Sequence, residues 1–150
     1  MKKILLTLSI AALTITGACQ KSTLENKVAE AMPSAVQIAD AKLGAVLIYA
    51  DWCGSCKVLD PKVNAVKTGQ NFENTFFLTL DYTDKNIEDF YAAAKAAGVS
   101  DPVRTFLAGK VKTGQLLLID MDDQKVVEVV KKDMSEADII KTIRQAESGA

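Results

Sequence analysis

Apolar residues along the chain fall into two kinds of run, one with helical spacing and one continuous over the length of a strand. From Leu24 to Met32 the apolar positions Leu24, Val28 and Ala31 recur at helical intervals behind Ser22 and Thr23, until Pro33 interrupts. Ser34 to Lys42 repeats the spacing through Ala35, Ile38 and Ala41, with Gly44 as the expected stop. Ala45 to Ala50 is then unbroken apolar sequence, without the alternation of a sheet that has one wet face. It predicts a central strand covered by helices on both sides. Ser55 to Lys67 predicts a helix with Val58, Leu59, Val63 and Val66 on one side, closed by Thr68 and Gly69. Phe76 to Leu80 predicts a second strand ending at Asp81, and Asn86 to Ala97 an alanine-rich helix stopped by Gly98. Gln115 to Asp120 and Lys125 to Val130 predict a hairpin around Met121 to Gln124. Asp133 and Ser135 both offer caps for a last helix through Ile139, Ile140 and Ile143. Strand, helix, strand, helix, hairpin, helix is an α/β layer sandwich with a mixed sheet.

The first eighteen residues follow a different pattern. Lys2 and Lys3 precede an uncharged run from Ile4 to Ile15, then Gly17, Ala18 and Cys19. This is the layout of a secretory signal. A helix of that run would rise about 18 Å, short of the roughly 30 Å hydrocarbon core, so a permanent span is the weaker reading. Thr16-Gly17-Ala18-Cys19 resembles a bacterial lipobox, although Thr16 stands where that pattern usually has Leu. The resemblance implies lipidation of Cys19 and a cell-envelope, membrane-tethered location; ordinary cleavage after Ala18 is the alternative. Residues 1–18 are thus read as a signal peptide, 19–33 as a tether with a short helix, and 34–150 as one domain. Removal of the signal leaves 16 basic and 19 acidic side chains, a net charge of −3. That balance gives no positive field for nucleic acid.

With 49% hydrophobic and 25% charged residues over 150 positions, the chain has enough apolar sequence for one core. It contains no histidine, which excludes Ser-His-Asp and Cys-His nucleophile pairs, imidazole bases and His-ligated metals. The three cysteines are Cys19, Cys53 and Cys56. The last two lie in Ala50-Asp51-Trp52-Cys53-Gly54-Ser55-Cys56-Lys57, where the central strand gives way to a helix. The first turn of a helix carries unpaired N–H groups and the positive end of the macrodipole, so a thiolate there is stabilised and its pKa falls below the free value of about 8.5. Cys53 is therefore the expected nucleophile. Two intervening residues bring Cys56 within one helical turn, where it can attack a mixed disulfide on Cys53 as the resolving thiol. Trp52 supplies an apolar lip; Asp51 opposes a thiolate and Lys57 favours it.

These residues resemble the thioredoxin superfamily. Besides the C-x-x-C pair, the resemblance rests on Trp52, Gly54, Lys57 and Pro61, the last where thioredoxins carry a proline that kinks this helix. Tyr49-Ala50-Asp51-Trp52-Cys53 looks particularly like the periplasmic thioredoxin-like domains of transmembrane disulfide-interchange reductases. The resemblance covers roughly Ser34 to Ala146. It implies a thioredoxin-like three-layer sandwich, a central mixed β-sheet flanked by helices. It also implies a redox-active Cys53–Cys56 disulfide with no other cofactor and no metal, protein disulfide substrates, a redox partner protein and a monomer. Three positions depart from the family. Leu47 stands where thioredoxins keep a buried Asp, and Gly54-Ser55 replaces Gly-Pro. Thr113-Gly114 takes the place of the cis-proline before the final hairpin. In another register Pro102 is the cis-proline and Val103 to Leu107 the strand. The Gly114 register is preferred because the hairpin and last helix follow it; Asp101 and trans Pro102 then open a short helix to about Ala108, within an insertion at 98–112.

Rival readings remain at this level. Half of a zinc site needs two more Cys or His ligands, and only Cys19 is left. A thioredoxin-like binding module with a structural disulfide is the alternative from another class. A soft-metal chaperone using both thiolates lacks supporting His or Met beside the motif.

Overall fold

Ser34 opens the described part of the chain, residues 33–150 of a computed structural model, as a reciprocal helix cap. Its Oγ accepts from the Gln37 amide at 3.2 Å, and Gln37 Oε1 accepts from the Ser34 amide at 3.0 Å. This cap starts α1 (Ala35–Asp40), followed by β1 (Leu43–Tyr49), α2 (Gly54–Gly69), β2 (Thr75–Asp81) and α3 (Ile87–Ala96). After α4 (Ser100–Leu107) come β3 (Gln115–Asp120), β4 (Lys125–Lys131) and α5 (Glu136–Gly149). The predicted signal, Cys19 and the Leu24–Met32 helix lie outside the described residues.

The sheet order is β2-β1-β3-β4. β1 and β2 run parallel, from Leu43 opposite Thr75 to Tyr49 opposite Asp81, and α2 makes the crossover that a parallel pair requires. β3 lies antiparallel to β1, and β4 antiparallel to β3 with an irregularity between Leu118 and Ile119. The continuous apolar run of β1 is explained by its place: successive side chains enter different cores. Leu43, Ala45 and Leu47 pack with Leu59, Val63 and Val66 of α2 and Ile139 and Ile143 of α5. Val46 and Ile48 pack with Phe90 and Ala94 of α3 and Val103 and Leu107 of α4. Each fully buried Leu, Ile or Phe contributes about 1.5–3 kcal/mol relative to exposure, so both helical layers are held to the sheet by many such terms. The α/β three-layer, thioredoxin-like architecture is therefore present, with the mixed sheet in the middle.

Two local expectations are corrected. Gly44 does not stop α1, which ends at Asp40; it lies within β1, where a Cβ would come within 2.9 Å of the Phe76 ring. Asp101 is not the cap of α4. Val99 occupies the cap position without a side-chain bond, leaving Asp101 and Pro102 in the first turn, where a missing proline N–H costs no helical bond. No peptide bond among the described residues is cis, so Asp101–Pro102 is trans. Between the two caps offered for α5, Ser135 is the one used.

Candidate active site

β1 leaves the sheet at Tyr49, and buried Ala50 carries the chain over its carboxyl edge. Cys53 then takes extended backbone angles as the N-cap of α2, and its Sγ accepts from the Cys56 amide at 3.1 Å. A sulfur thus occupies the place usually held by a Ser or Asp oxygen, receiving an amide that the helix cannot otherwise pair. Cys53 and Cys56 form a disulfide, with Cα atoms 5.2 Å apart. Their exposures differ in the sense that matters: Cys53 is 7% exposed and Cys56 is 0%. An incoming sulfur can reach the pair only through Cys53.

Gly114 closes the other side. It adopts φ +81°, and its amide donates to Ile48 O at 2.7 Å. A Cβ built there would stand 2.6 Å from Ser55 Cβ and 3.2 Å from Cys53 Sγ. Backbone therefore lies directly against the disulfide with no side chain between, which only glycine permits. Cys56 Sγ lies 3.7 Å from the same Ile48 carbonyl. Pro102 is instead buried in α4, and Gly114 directly precedes β3. Leu47, on the strand beneath, is 1% exposed and packs among the apolar residues of α2 and α5. Pro61 falls inside α2, and Gly54 opens it with no atom crowding its missing Cβ. Lys57 is exposed on the second turn.

Trp52 is half exposed, and its position is fixed by a loop that the sequence did not point to. Its indole N–H donates to Thr83 O at 3.0 Å, while the Asp51 amide donates to Thr83 Oγ1 at 3.0 Å. Thr83 is held in turn by Asp81, whose Oδ1 accepts from the Thr83 amide at 2.7 Å. Lys85 Nζ stands 5.3 Å from the Trp52 ring centre, a cation–π contact. The signal for this grip was an Asp two residues before a Thr at a strand end, a local side-chain-to-backbone turn pattern. Asp51 also accepts a 2.9 Å bond from the Tyr49 hydroxyl. That bond first, then burial and the charges of Asp51, Asp60 and Asp81, raises the Tyr49 pKa above the ordinary phenol value.

Lys62 is a second residue not singled out by the sequence. One residue past Pro61, its ammonium donates to Lys132 O at 2.8 Å and Met134 O at 2.7 Å, tying α2 to the turn after β4. Among the described residues no group of three or more Cys, Asp or Glu is placed to hold a metal ion, and no helix is long and apolar enough to cross a membrane.

The family model described as Thioredoxin matches residues 27–96. No curated protein matches the chain significantly. Among solved structures, the chain is similar to a thioredoxin of Fasciola hepatica, at 22% identity over 82% of this chain and 90% of that one, with a TM-score of 0.45. It is similar to a putative protein disulfide isomerase of Bacteroides thetaiotaomicron at 24% identity, over 71% and 74% of the two chains, with a TM-score of 0.44. A disulphide isomerase of Xylella fastidiosa Temecula1 gives 18% identity over 89% and 98%, with a TM-score of 0.45. The match over residues 27–96 and the mixed four-stranded sheet, with the Cys53–Cys56 disulfide at the start of α2, give this chain a thioredoxin-like fold.

Proposed function

We propose that the protein is a thiol–disulfide oxidoreductase working outside the cytoplasm, with Cys53 as nucleophile and Cys56 as resolving thiol. The observation that carries this reading is the asymmetry of the pair: Cys53 Sγ is the reachable sulfur and accepts a helix amide, whereas Cys56 is fully enclosed. In the reduced protein the Cys53 thiolate attacks a substrate disulfide. A Cys53–substrate bond forms as the substrate S–S bond breaks, and the departing sulfur takes a proton from solvent. Cys56, after losing its proton, attacks Cys53 Sγ. The intramolecular disulfide closes and the second substrate sulfur leaves as a thiol, two electrons having passed to the substrate. A dithiol redox partner protein then restores the reduced pair. Leu47 offers no carboxylate to take the Cys56 proton, so solvent or the departing thiolate accepts it.

Cys53→Ser should abolish exchange with a protein disulfide while far-UV circular dichroism is unchanged, and Cys56→Ser should accumulate a mixed disulfide visible by intact mass. Undiminished exchange by the Cys53 variant would sink the assignment and leave the disulfide structural. Export and tethering rest on residues 1–18 and Cys19. Mass spectrometry of the mature chain from envelope membranes should find an acylated Cys19 at the N-terminus; an unmodified Cys19 there would favour plain signal cleavage.

A further inference from the structure

A groove of about 200 Å³ lies beside Ser55 and Gly114, the two residues packed against Cys53, and is walled further by Lys131, Lys132 and Asp133. At about 30 Å³ per water it has room for several waters or one substrate side chain. Its outer wall is built rather than loose. The Met134 amide donates to Lys131 O at 3.2 Å, and Lys62 clamps the carbonyls of Lys132 and Met134 from α2. Lys131 and Lys132 are exposed, and neither ammonium forms an ion pair within the described residues, where the one salt bridge is Lys125 to Asp123. The groove therefore carries two uncommitted cations against one carboxylate. On the far side of the disulfide the polarity reverses. Asp51 and Asp81 are fixed there by Tyr49 and Thr83, with Lys85 turned toward Trp52.

Resting on the oxidoreductase reading, we infer that this groove selects the substrate: Lys131 and Lys132 receive an acidic side chain of the polypeptide whose half-cystine meets Cys53. Charge complementarity carries the choice of occupant. An extended segment laid along the Gly114 backbone places its attacked sulfur at Cys53 and a neighbouring side chain over Ser55, toward the two ammonium groups. A lysine there meets like charge. The same segment gains nothing from acids on the Trp52 side, where Asp51 and Asp81 stand.

The test uses the full pre-reduced protein in single turnover. Two disulfide-linked peptides, alike except for Glu or Lys beside each half-cystine, are compared with a neutral small disulfide, bis(2-hydroxyethyl) disulfide. Each peptide rate is divided by the same protein's rate on the neutral compound. The Glu peptide should react about three- to fivefold faster than the Lys peptide at low salt, and the ratio should shrink as ionic strength rises. In the Lys131→Glu/Lys132→Glu variant the preference should invert. Equal normalised rates in the unaltered protein, or a preference that survives the double variant, would overturn the groove assignment. Failure of the thiol chemistry itself is separate: it would appear as no reaction with the neutral disulfide.

Discussion

Gly114 shows how one missing side chain shapes the site. Its φ of +81° is a conformation that costs other L-residues roughly 1–2 kcal/mol, and the position for a Cβ is already occupied by Ser55 at 2.6 Å. A proline there would also lose the bond from the Gly114 amide to Ile48 O. What walls the disulfide here is a hydrogen-bonded, left-handed glycine. Gly114→Ala should destabilise the protein by about 1–3 kcal/mol and slow disulfide exchange, checked by thermal unfolding of the oxidised form beside the exchange rate. A variant of unchanged stability would mean that Ser55 and the loop move aside freely. The residues of the motif were legible in the sequence because they are contiguous and of distinctive type. Thr83 and Lys62 were not, because a polar side chain gains its partners only when distant segments meet, and Lys131 and Lys132 were not, because only the folded chain brings them beside Gly114.

Among the elements, α5 illustrates what a cap does and when it fails. Ser135 Oγ accepts from the Asp138 amide at 3.2 Å and donates to Asp138 Oδ2 at 2.6 Å, while the Ser135 amide donates to the same carboxylate at 3.4 Å. The side-chain bond from Ser135, then its backbone bond, lowers the Asp138 pKa below the ordinary 3.8. A carboxylate lowered in the folded state contributes stability that is fully present above the unfolded value. That contribution is lost as pH falls through the folded one. Asp138→Asn should therefore lower the thermal midpoint at neutral pH and converge with the unaltered protein well below pH 3.8, in paired melts across the acid range. A difference independent of pH would show that the charge is not involved. Most helices and strands were readable, since helical periodicity in α2, α3 and α5 and an unbroken apolar run in β1 coincide with burial. The ends were less so. Gly44 looked like a helix stop because its contact with Phe76 is across the sheet, and α4 starts on Val99 because tertiary packing of Val103 and Leu107 replaces a capping side chain.

For the whole molecule, the open quantity is the direction in which electrons run. The Cys56 amide is directed at Cys53 Sγ, Cys56 itself is fully enclosed, and Gly54 and Ser55 stand between the two cysteines. Equilibration of the protein with glutathione should give a reversible two-electron potential. A value near about −270 mV would make it a reductant of other proteins, dependent on a donor; one of roughly −180 to −120 mV would assign oxidation or isomerisation. In the second case the reduced form should also melt at the higher temperature, because an oxidising potential means that the open dithiol is the more stable state.

The strand order β2-β1-β3-β4 sets a timetable as well as an architecture. The cysteines sit early in the chain, yet the strand that flanks β1 on its second side, the glycine that walls the disulfide and the turn that Lys62 holds from 70 residues away are all supplied late. Closing such distant contacts is slow compared with forming local helices. While the chain emerges from its N-terminus, both thiols therefore exist before their enclosure does. The nascent protein is open to thiol exchange from which the finished fold shields Cys56, until the final hairpin docks.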